Sequence, residues 1–105
     1  MNFRVHEEAR AEAIGAAADY EAACHGLGSE FTDRTQEALR QIKIAPRRFA
    51  KLESTLLSGE IRRYLLTPRF PYVIIYEVHA DLIEVLAVAH GSRMPDYWVS
   101  RRETD

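Results

Sequence analysis

The apolar residues of this chain change their period partway along, and that change limits the architectures open to it. Up to Ala45 they recur at steps of three and four: Ala13, Ile14, Ala17, Tyr20, Cys24 and Leu27, then Phe31, Thr35, Ala38, Leu39 and Ile42. That is the spacing of one helical face. From Glu60 the step falls to two, with Ile61, Arg63 and Leu65 on one side and Arg62, Tyr64 and Leu66 on the other, as in a strand. A chain with its helices first and its strands after reads as α+β, with the helices laid on one face of a sheet.

Punctuation residues refine this reading. Phe3 and Val5 flank polar Arg4 and predict a short opening strand. A helix follows from about Glu7 to His25, rich in alanine, the best helix former. Its apolar face is expected to bury Ile14 and to hold Cys24 as an inert thiol. Gly26 is placed for a left-handed C-terminal cap of this helix and Ser29 to cap the next one ahead of Glu30. That helix must stop near Ala45, because Pro46 disfavours helical geometry in the residue before it. So short a turn between helices predicts an antiparallel helical hairpin. Beyond a less regular basic segment, Glu60–Leu66, Tyr72–Val78 and Leu82–Ala89 are separated by turn residues and predict an antiparallel meander. Pro95 and Asp96 predict a short terminal helix carrying Tyr97 and Trp98.

At 105 residues the chain is expected to form a single domain, residues 1–105. No apolar run approaches the roughly 20 residues of a membrane span, and the polar opening does not read as a signal peptide. A soluble, cytoplasmic protein is expected. The lone cysteine excludes an internal disulfide and paired-thiolate zinc sites, and the four histidines lack metal-pair spacing. No metal or other cofactor is expected. The net charge of −2 conceals an asymmetry: residues 1–40 sum to −4 and residues 41–105 to +2. Arg40, Lys43, Arg47, Arg48 and Lys51 follow one another with no acid between. Such a run marks either a polyanion-facing surface or a solvated helix end.

Several segments carry a family resemblance: Phe70-Pro-Tyr-Val-Ile-Ile-Tyr76, Ile83-Glu-Val-Leu-Ala-Val-Ala-His90, Arg93-Met-Pro-Asp-Tyr-Trp98 and the upstream Gly59-Glu-Ile-Arg-Arg63. Their succession resembles the RelE/ParE family of bacterial toxins over nearly the whole chain. The resemblance implies the toxin half of a type II toxin–antitoxin module, silenced by a cognate antitoxin in a hetero-oligomer. RelE-like members cut messenger RNA on the ribosome; ParE-like members inhibit DNA gyrase. A relative that keeps antitoxin binding without toxicity is a third possibility.

Metal-free RNA cleavage needs a base, cations at the crowded phosphorane and an acid for the leaving oxygen. Carried over by position, the resemblance places Arg62, His90, Arg93 and Tyr97 as the catalytic candidates. Against three of these stands a structural role: Arg62 pairing with Glu60 or Glu84 across strands, His90 as a strand-end histidine and Tyr97 as a sealing aromatic. Arg93, after a turn and facing a concave sheet surface, is the strongest of the four, and Arg101 and Arg102 read as cations at a helix end. The sequence departs from the RelE-like pattern at Val73, Tyr64 and Gly91, where cations are usual. A missing charge-stabilising group raises a barrier by about 2.7–4 kcal/mol. The balance favours growth arrest by gyrase inhibition over mRNA cleavage.

Overall fold

The computed structural model describes residues 1–52, 58–93 and 95–102. The chain opens with strand β1 (Asn2–Val5), then forms helices α1 (Glu7–Ala23) and α2 (Leu27–Ile44). Strands β2 (Glu60–Leu65), β3 (Tyr72–Val78) and β4 (Leu82–His90) follow, and a 3-10 turn spans Val99–Arg101. The strands form one sheet in the order β1-β4-β3-β2. β2, β3 and β4 make the expected meander, whereas β1 runs parallel to β4, with Phe3 opposite Ile83. The sheet is therefore mixed. A parallel neighbour follows from the intervening crossover, which carries the chain through the hairpin and meander before β4 is laid beside β1.

Alternation along β3 sends Ile74, Tyr76 and Val78 toward the helices, where they pack with Phe31, Ala38, Ile42, Ala9 and Ala16. Ile75 points the other way, into a second cluster with Ile61, Leu86, Ala87, Ala89 and Trp98. In β4 the alternation is broken once. Ile75 lies opposite Ala87 and Tyr76 opposite Val85, so Leu86 is the extra residue of a β-bulge. The bulge lets Leu86 and Ala87 both join the cluster away from the helices while Val85 and Val88 face them.

The helix layer is anchored by rings. Phe31 is fully buried, with Tyr20, Phe70 and Tyr72 centred 5.3, 5.1 and 5.0 Å away, a tilted and edge-on arrangement that aromatic quadrupoles favour. The expected stripe of α2 is inside. That of α1 differs: Ile14 is exposed, and Cys24 lies past the helix end, exposed. An alanine-rich helix carries little periodic contrast, so Ala9 and Ala16 face the core where the pattern had placed Ile14 and Cys24.

The turn between the helices is capped differently from expectation. Gly26, at φ 89°, is the N-cap of α2, and Ser29 lies inside the helix. Glu21 from α1 accepts the backbone N–H groups of Gly26 and Gly28, both at 2.9 Å, satisfying donors that a helix start leaves open. A Cβ at Gly28 would collide with the Ala17 carbonyl and with Glu21. Gly28→Ala is accordingly expected to destabilise the fold by about 2 kcal/mol, measured by thermal or urea unfolding; an unchanged midpoint would refute this account of the hairpin.

Candidate functional site

The sheet face away from the helices is where the C-terminal segment packs. Trp98 is only 2% exposed, seated with Ile61, Ile75 and Leu86. Two carboxylates fix the segment around it. Glu12, reaching over from α1, accepts the Tyr97 hydroxyl at 2.7 Å, Arg101 through two nitrogens at 3.0 and 2.9 Å, and the backbone N–H of Val88 at 3.0 Å. Val88 lies beyond the last residue of β4 paired with β1, so Glu12 and Arg101, which donates to the Leu86 carbonyl at 3.1 Å, close an otherwise open strand edge. Burial alone would raise the Glu12 pKa, but the bonds from Arg101, Tyr97 and Val88 together hold it below its ordinary value.

Glu77 is the second fastening. It faces Glu84 directly across the β3–β4 ladder, and both are buried. Two like charges so placed repel unless each has a cation. Arg102 donates to Glu77 at 3.0 and 2.8 Å and to the Ser58 carbonyl, while Arg4 donates to Glu84 at 2.8 Å. Gly59, at φ 98°, leaves room for this contact, since a Cβ there would crowd both the Glu77 carboxylate and the Arg102 guanidinium.

The four catalytic candidates are distributed over this frame rather than gathered. Arg62 donates to Glu60 at 2.8 Å and to the Phe49 carbonyl at 2.6 Å, the cross-strand alternative becoming a pairing within β2. His90 is exposed; its Nδ1 accepts the Ser92 N–H at 3.0 Å, and its ring meets Tyr72 edge-on at 5.2 Å. Only Arg93 and Tyr97 come together. The Arg93 guanidinium lies 3.9 Å from the centre of the Tyr97 ring and 3.6 Å from Glu12. The Tyr97 hydroxyl donates to a carboxylate, and burial followed by that bond raises its pKa to about 12, which leaves it a poor proton donor or acceptor at neutral pH.

Beside these residues the same sheet face bears a hollow of about 330 Å³ whose lining includes Leu52, Leu65, Pro71, Val73 and Ile75, with Arg63 and Gly91 among the remainder. Val73 and Gly91 are two of the positions at which the sequence departs from the nuclease pattern. The hollow suits apolar contact more than a phosphate. Sequence reasoning missed Glu12 and Glu77 as organisers and read Arg101 and Arg102 as helix-end cations. No local signal marks them, because their partners lie 89 and 25 residues away. Among the described residues no group of three or more His, Cys, Asp or Glu is arranged to hold a metal ion, and no helix is long and apolar enough to cross a membrane.

This arrangement of helical hairpin and sheet is shared with a solved structure. That structure, described as a chromosomal ParDE toxin–antitoxin system from P. aeruginosa, superposes with a TM-score of 0.60 over 86% of this chain and 95% of that one, at 20% identity. The fold is thus the RelE/ParE-like α+β toxin fold. Residues 3–95 match the sequence profile of the ParE toxin of type II toxin–antitoxin systems, parDE, and the chain belongs to that family of toxins. No curated protein matches it significantly.

Proposed function

We propose that this toxin arrests growth by ParE-like inhibition of DNA gyrase and is held silent in the cytoplasm by a cognate antitoxin bound to it in a hetero-oligomer. The observation that carries this reading is the character of the sheet face beside the tail. Its hollow is mostly apolar, with Leu52, Leu65, Pro71, Val73 and Ile75 against a single cation, Arg63, among the described residues, and the arginines of the tail are neutralised by Glu12 and Glu77. A ribosome-dependent nuclease needs unneutralised cations at the scissile phosphate, together with a titratable pair near neutrality. Docking onto a protein target requires neither.

The discriminating experiment uses purified toxin in two reactions. Supercoiling of relaxed plasmid by gyrase is expected to stop, while message bound in translating ribosomes stays intact. Cleavage of that message, abolished by Arg93→Ala or Tyr97→Phe, would reverse the assignment and place the chemistry on Arg62, His90, Arg93 and Tyr97.

A further inference from the structure

The run of cations from Arg40 to Lys51 is given a fixed shape by the fold. Once α2 ends, the chain from Pro46 is tied to the sheet along its length. The Tyr76 hydroxyl donates to the Pro46 carbonyl at 2.6 Å, and Arg62 donates to the Phe49 carbonyl at 2.6 Å. Arg63 N–H donates to the Ala50 carbonyl at 3.0 Å, and Leu52 N–H to the Ile61 carbonyl at 2.7 Å. Lys51 thereby lies opposite Arg62, which brings Arg63 of β2 into the same basic rim. From Arg40 to Arg63 the sequence holds seven cations and two acids, Glu53 and Glu60.

These cations divide into two sets. Arg40 is held by Glu37, and Arg47 and Arg62 share Glu60. Lys43, Arg48, Lys51 and Arg63 are exposed and meet no carboxylate among the described residues. Lys43 lies over the Phe3 ring, and Arg48 meets Gln41 and the Phe49 ring. A helix dipole accounts for Lys43, in the last turn of α2. It does not account for Arg48, Lys51 or Arg63, which stand beyond that helix. Cations gathered without counterions raise a local positive potential, and here they are fixed on a backbone that holds them together.

We propose that this rim binds the phosphate backbone of duplex DNA, with Lys43, Arg48, Lys51 and Arg63 as the contacts. The binding goes beyond gyrase inhibition and does not require it. Duplex DNA offers a dense row of phosphates, and free cations that neutralise them release condensed counterions. Contacts of this kind position the protein without reading base sequence, so no sequence preference is expected. A single strand is the poorer fit. Its binders stack bases on open rings, whereas no Phe, Tyr or Trp among the described residues is exposed. Phe49 and Tyr64, which neighbour Arg48 and Arg63 in the chain, pack edge-on against each other at 4.7 Å.

The test follows binding of the purified toxin to a fluorescent duplex of about 25 base pairs, by anisotropy, as salt rises from about 50 to about 200 mM. Four phosphate contacts give a slope of log affinity against log salt of about −3.6, a loss of about a hundredfold across that range. Removing one cation, as in Lys51→Gln or Arg63→Gln, is expected to make the slope shallower by about 0.9. Replacing all four should abolish measurable binding. Arg10→Gln, exposed on α1, should leave affinity and slope as they are. Because the four side chains are exposed and hold no carboxylate among the described residues, the melting temperatures of the variants should hardly move. A toxin that does not bind the duplex, a slope near zero, or single variants with the wild-type slope overturns the inference. Tighter binding to a single-stranded RNA of equal length overturns it as well. Gyrase inhibition is read in a separate reaction and stands or falls by itself.

Discussion

Replacing Glu12 by alanine is expected to destabilise the toxin at pH 7 by about 3 kcal/mol, the lower part of the range for breaking a buried charge pair. For a domain of this size that is a fall of about 12 °C or more in melting temperature. The size follows from what one carboxylate holds: Tyr97, Arg101 and the open edge of β4 at Val88. With its side chain 15% exposed and that of Arg101 10%, neither group is well placed to exchange its partner for water. Glu12→Gln keeps the shape but not the charge, so it should fall between. Acid provides a second check. Because the folded state holds the Glu12 pKa below 4.5, the unfolded chain takes up the proton first. The stabilisation is therefore complete above the ordinary carboxylate range and lost as pH falls through the lowered value. The gap between wild type and Glu12→Gln should narrow below about pH 4.5. A Glu12→Ala protein that melts within two degrees or so of wild type would refute the role.

The second large effect is expected at Arg102. Arg102→Leu removes the guanidinium that holds Glu77's carboxylate, leaving it buried opposite Glu84 with only the His79 ring, 3.9 Å away, beside it among the described residues. A loss of about 3 kcal/mol is expected in urea unfolding. Glu77→Leu should cost less, since the freed guanidinium swings to solvent. The double replacement should be milder than Arg102→Leu alone, because an apolar pair of similar volume leaves no buried charge without a partner. If the double variant is instead as unstable as the two single losses combined, the pair is not coupled and the fastening has been misread.

How far these features were legible in the sequence depended on how far apart their causes lie. The stripe of α2 was readable because Phe31, Thr35, Ala38 and Ile42 contrast with charged neighbours at helical spacing. β3 was readable because Tyr72–Val78 is β-branched or aromatic at every position but Glu77. α1 gave element and length but not its inward face, since alanines supply helix propensity without contrast. The parallel pairing of β1 with β4 and the role of Glu21 as a cap in place of Ser29 are settled by packing, not by local preference. Of the four candidates that the resemblance placed together, only Arg93 and Tyr97 lie against each other. Arg101 and Arg102 stood next to each other in the sequence with nothing to say that one would cross to α1 and the other to β3.

The bulge at Leu86 bears on how this toxin can diversify. A strand that holds one residue more than its neighbour has its inside and outside assigned differently before and after that point. Losing Leu86 would leave a regular ladder, with Ala87 outward and Val88 inward as before, whereas gaining or losing a residue elsewhere in the strand without such a bulge to absorb it would exchange the two faces beyond that point. Within this strand the bulge is therefore the place where a change of length costs least, and other changes of length among related toxins should be found in the connections around it.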